Sequence, residues 1–75
     1  MRYFAVIESS VNGACALGTF KGLGAAQSFA QEAAKGLTPD GLSVVCVYRL
    51  KEDGDIESLV PEIQIDPRDA RREMA

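Results

Sequence analysis

Cys15 and Cys46 are the two residues best suited to nucleophilic chemistry, and no histidine accompanies them. A thiol attacks or ligates through its thiolate, which needs a base or a cation close by. Neither cysteine has an evident base, there is no Ser/His or Cys/His pair, and HExxH and GxSxG are absent. Two cysteines without histidine also fall short of a four-ligand zinc set. No catalytic residue, metal ligand or cofactor-binding residue is therefore assigned, and the chain is read as non-enzymatic. Both cysteines are expected to be free, buried thiols of a reducing cytoplasm, each small and apolar on a strand; a bridge between them is the alternative.

Three further groups are chemically suggestive. Lys21-Gly22-Leu23-Gly24 leaves a strand and opens a helix, as a pyrophosphate-holding loop does, but Gln27 stands at the third small position. A looser anion site at the helix start is one reading of these glycines, and close approach of helix to sheet is the plainer one. Glu52, Asp53, Asp55 and Glu57 fall in an acidic stretch with no Lys or Arg between Lys51 and Arg68. Asp53-Gly54-Asp55 lacks the alternating frame and terminal bidentate Glu of a calcium loop. The stretch is either a solvated turn or an acidic patch that docks on a basic partner surface. Arg68, Arg71 and Arg72 are interleaved with Asp69 and Glu73, which offset their charge.

The elements that must position these residues are readable in order. Arg2 to Glu8 is a strand rich in β-branched and aromatic residues, Asn12-Gly13 a hairpin turn, and Ala14 to Phe20 a return strand with Gly18 as a bulge. From Gly22 to Leu37 the period becomes helical. Leu23, Ala26, Phe29, Ala30, Ala33, Ala34 and Leu37 share one arc, with Gly36 as a left-handed closing residue and Pro39 beyond it. Thr38-Pro39-Asp40-Gly41 is a turn, and Leu42 to Leu50 is the clearest strand. Asp53-Gly54 reverses the chain into a short fourth strand, Asp55 to Val60, stopped by Pro61. Glu62 to Asp66 alternates as an extended segment or edge strand. Asp66-Pro67-Arg68-Asp69 then reads as a helix start, with Asp66 the N-cap.

Two hairpins joined by a helix give an α+β domain of ββαββ type, an antiparallel sheet of order 2-1-3-4 over residues 1–66. Residues 67–75 add a helical turn or frayed tail. Both central strands are apolar front and back, whereas one helix covers one side. The face carrying Tyr3, Ala5, Ile7, Val45 and Val47 is assigned as the open one. Its cover is the tail, a second copy or a foreign protein, and an apolar face of this kind marks a binding surface.

Seventy-five residues with a net charge of −3 and no Trp make one small acidic domain. Such a chain sits near the lower size limit for folding alone, so a partner or self-association is expected. Direct nucleic-acid binding is not, because it needs a basic, base-stacking face. The apolar run at the N-terminus is too short and too interrupted for a signal peptide, and no segment is long enough to span a bilayer, so a cytoplasmic protein is expected.

The two-stranded start, the alanine-rich helix LGAAQSFAQEAAKGL and the terminal pair SVVCVYRL and DIESLV make the chain resemble compact anti-CRISPR proteins of phages and mobile elements. The resemblance covers most of the chain as architecture, size and acidity. It implies stoichiometric inhibition of a host nucleic-acid-targeting defence complex by occlusion of a basic channel. The function expected is thus that of a non-enzymatic protein-binding module, with the resemblance implying such an inhibitor. The alternatives are a homodimeric structural domain and a small anion-binding domain.

Overall fold

The computed structural model describes residues 2–72, with side chains through residue 70. In chain order they form β1 (Arg2–Ser9), β2 (Gly13–Phe20), α1 (Leu23–Lys35), β3 (Ser43–Leu50), β4 (Ile63–Ile65) and α2 (Pro67–Arg72). The strands make one antiparallel sheet of order β2-β1-β3-β4. β1 and β3, the most β-branched and aromatic segments, hold the centre as expected. The Ser9 hydroxyl oxygen accepts the N–H groups of Val11 and Asn12 at 3.2 and 3.1 Å, and Gly13 at φ +77° closes the β1–β2 turn. Along this pair the register jumps from Ala5↔Gly18 to Val6↔Ala16, leaving Leu17 as the extra residue of a bulge.

The fourth strand is not Asp55 to Val60; β4 lies within Glu62 to Asp66, the segment read as extended or an edge strand. Within Asp55 to Val60 only Ile56 bridges to β3, at Leu50, and Leu59 and Val60 stand 90% and 75% exposed. The reversal is tight, with Lys51 N–H donating to the Asp55 carbonyl at 2.7 Å. Pro61 has no N–H to give a ladder, so pairing resumes only after it, where Glu62 N–H reaches the Val47 carbonyl at 2.7 Å.

α1 lies on the sheet through Ala26, Ala30 and Ala34, all fully buried and four residues apart. Their methyl groups, rather than the glycines at the helix start, permit the close approach: a Cβ at Gly22 or Gly24 would meet nothing within 4 Å. Phe29 flanks the contact and tilts against Phe20 at 5.0 Å. The helix does not end in the expected left-handed glycine. Gly36 is right-handed at φ −81°, and the last turn tightens through Gly36 N–H to Ala33 and Leu37 N–H to Ala34 carbonyls at 3.1 and 3.2 Å.

α2 begins as its sequence suggests, Asp66 Oδ1 accepting the Arg68 N–H at 2.8 Å. Arg68 also forks back onto the same carboxylate. α2 packs beside α1, and Ala70 is buried in the core that α1 makes with the sheet. Both helices therefore occupy one side, and among the described residues the tail does not cover the other. The side chains of Arg71, Arg72 and Glu73 lie outside the described residues. The smallest extent, 17 Å, is that of two layers.

Candidate binding face

Alternation along the paired central strands decides which side chains share a side. Tyr3, Ala5 and Ile7 face Arg49, Val47 and Val45 on one side, and Phe4, Val6 and Glu8 face Tyr48, Cys46 and Val44 on the other. The five residues assigned to the open face, Tyr3, Ala5, Ile7, Val45 and Val47, do share a side, but it is the helix side. Tyr3, Ala5, Val45 and Val47 form the core with the helix alanines, and Ile7 packs against it. The assignment is corrected accordingly. The alanine stripe meets Ala5 and the two valines, with Tyr3 and Ile7 around them, whereas the opposite side carries the Glu8 carboxylate.

The side without helices is centred on Val6, Cys46 and Tyr48, with Phe4 and Val44 packed against them. On the edge strands, Ala14 and Ala16 continue it beside Glu8 and Val6, and Gln64 beside Cys46. Tyr48 reaches back along the sheet so that its hydroxyl donates to Glu8 Oε1 at 2.7 Å. The Cys46 thiol donates to Glu8 Oε2 at 3.1 Å. One carboxylate thus holds a phenol and a thiol across two strands, and Cys46 is left only 1% exposed.

Burial, reinforced by the Glu8 hydrogen bond and charge, pushes the Cys46 thiol from 9.0 up to about 12. Burial and Glu8 push the Tyr48 hydroxyl up as well. A thiol so placed stays protonated at neutral pH, and its role here is that of a hydrogen-bond donor in a packed cluster. Cys15 departs from expectation: it is exposed, because its edge strand runs beyond the shelter of α1. It faces Ile7, on the helix side, so the two free thiols lie on opposite faces.

Among the described residues no Lys or Arg pairs with Glu8. Its carboxylate therefore sets a negative charge, part-buried, in an otherwise apolar sheet face. Sequence reasoning missed it, although an acid among the apolar residues of a central strand was the available signal.

The acidic residues Glu52, Asp53, Asp55 and Glu57 come together at the β3 turn and are all exposed. They are not equivalent. Asp53 Oδ1 accepts the Asp55 N–H at 3.0 Å and so braces the turn. Glu57 Oε2 lies 3.7 Å from Arg49 Nε, and Glu62 Oε1 lies 3.6 Å from the same atom. Tyr3, then Glu62, raises the Arg49 pKa further. Glu52 and Asp55 are left as the outward-directed charges. Beneath this turn a shallow groove is lined by Phe4, Thr19, Leu50 and Ile56, with Lys51 at its rim.

Comparison with known protein families, curated proteins and solved structures returned no match. The fold and the face define a two-layer α+β domain with helices on one side of its sheet. No helix among the described residues is long and apolar enough to cross a membrane.

Proposed function

We propose that this protein is a non-enzymatic binding module that docks a protein partner on the sheet face opposite its helices. The observation that carries this reading is the Glu8–Cys46–Tyr48 cluster. A face loses water cheaply when its polar groups already bond one another, since desolvation then leaves no donor unmade. Phe4, Val44, Ala14 and Ala16 supply the apolar contact around that cluster. The charge of Glu8 favours a partner whose apolar surface carries one lysine or arginine, because a buried charge is tolerated when paired.

The finer reading, inhibition of a host nucleic-acid-targeting complex, draws on the resemblance to compact anti-CRISPR proteins and on the acidic turn at Glu52 and Asp55. In it, that turn meets the cationic wall of a nucleic-acid channel.

Two variants test the docking face. Val44→Lys places a charge beside Glu8, and Ser28→Lys places one on the exposed back of α1. Proteins cross-linked to the wild type in a host lysate are expected to be kept by Ser28→Lys and lost with Val44→Lys. Equal recovery by all three, with unchanged circular dichroism, would remove the face from the mechanism.

A further inference from the structure

The two edges of the sheet are built in opposite ways. β4 is three residues long, bracketed by Pro61-Glu62 and Asp66-Pro67. Short length, charge and proline are three of the means by which an edge is kept from pairing with another chain. β2 has none of them: eight residues, GACALGTF, without a charge or a proline. Gly13 to Ala16 are exposed, and no backbone bond from another part of the described chain reaches the outer side of this strand. A bulge at Leu17, itself a device that blunts an edge, leaves Gly13 to Ala16 as the regular stretch.

The core gives a separate reason to expect a second layer of stabilisation. Its fully buried side chains are small, the largest being Val45, Val47, Pro67 and Cys46. Domains of this size with little buried volume are commonly completed by association. An uncharged strand presents no repulsion to its own copy, and alanine side chains on both would not obstruct it.

We propose that two copies of this chain pair antiparallel through β2, centred on Cys15, to make one eight-stranded sheet. Opposed side chains share a face, so the two-fold axis must pass at a residue, and the register proposed centres it on Cys15 within Gly13–Ala16: Cys15 faces Cys15 of the second copy and Ala14 faces Ala16. Antiparallel pairing of identical strands within one sheet places the two-fold axis perpendicular to it. All four helices then lie on one side, and the two helix-free faces form a continuous surface on the other. Two Glu8 sites on one surface make the module bivalent, which raises avidity for a repeated or symmetric partner. The pairing itself does not depend on the docking reading.

Sedimentation equilibrium of the full chain tests it. A species of twice the 8.0 kDa chain mass is expected for the wild type and for Ser28→Lys. Cys15→Lys, which sets two like charges opposite each other at an exposed position, is expected to be monomeric with an unchanged far-ultraviolet spectrum. Opposed Cα atoms about 4.5–5.5 Å apart suit a disulfide. Air with copper phenanthroline, dioxygen taking the two electrons and two protons of the thiol pair, should therefore trap a reducible dimer that Cys15→Ser abolishes. A wild type monomeric up to millimolar concentration overturns the proposal, as does a Cys15→Lys chain that remains dimeric. A dimer that oxidation fails to trap overturns the register. If Val44→Lys loses its partner while the mass stays doubled, the two surfaces are distinct; a monomer that still binds leaves the docking reading standing alone.

Discussion

Glu8 organises the helix-free face by accepting two hydrogen bonds from donors that would otherwise be buried without acceptors. Each of its oxygens takes one, from Tyr48 at 2.7 Å and from Cys46 at 3.1 Å. The consequence is a definite alkaline instability. The Cys46 thiol titrates near 9.0 in the unfolded chain and near 12 in the folded one. Its folded pKa is raised, so its contribution is whole below pH 9 and is lost as pH rises from there towards 12. Over that interval the unfolded chain alone releases the proton, and by pH 10 the loss from this thiol is on the order of 1 kcal/mol. Tyr48 acts in the same direction at higher pH. Thermal melts at pH 8 and pH 10 should show a drop for the wild type and a smaller drop for Cys46→Val. An equal drop in both would assign the effect to other groups.

The helix and the sheet meet through methyl groups, which makes their separation unusually sensitive to side-chain volume. Ala26, Ala30 and Ala34 are each fully buried against a floor that includes Ala5, Val45 and Val47. Ala30→Leu has nowhere to put three further carbons without lifting α1, and overpacking of this kind costs about 1–3 kcal/mol. The midpoint of urea unfolding should fall accordingly. Ala25→Leu, on the exposed flank of the same helix, should leave it nearly unchanged. The segment between β3 and β4 is held differently, by backbone bonds such as Glu57 N–H to the Arg49 carbonyl at 2.9 Å and by the Arg49 guanidinium near Glu57 and Glu62. Its apolar residues Leu59 and Val60 project into solvent, which is why this stretch, strand-like in composition, forms no ladder.

At the scale of the whole molecule, the exposed acidic turn and the apolar face built around Glu8 occupy different parts of the surface. The acidic turn lies at one end of the helix-free face, above the groove floored by Phe4, Leu50 and Ile56. Outward charge of this kind acts on encounter more than on the bound state. Because Asp53 braces the turn and Glu57 faces Arg49, the informative variant is Glu52→Lys with Asp55→Lys. Association with the partner should slow several-fold at low salt, dissociation should hardly change, and the difference should vanish near 1 M salt. Unchanged association at low salt would leave the turn as a solvated reversal only.

Strand order, the position of α1 and the Asp66 cap were legible in the sequence because each rests on local chemistry: a turn residue, a period, a cap. The pairing of Tyr3, Ala5 and Ile7 with Val45 and Val47 on one side was legible too, since alternation and antiparallel order require it. Which of the two sides the helices take was not. Both sides of β1 and β3 are apolar, so pattern alone is nearly symmetric between them; the side the helices leave is the one on which Glu8 accepts from Tyr48 and Cys46. Glu8 likewise read as the polar end of a strand, because its two donors lie 38 and 40 residues away in the chain. Sequence by itself determined the elements and their order, through interactions a few residues long. Only the tertiary structure decided the helix side, the late fourth strand and the Glu8 cluster, because each depends on steric fit or hydrogen bonding between segments far apart in the chain.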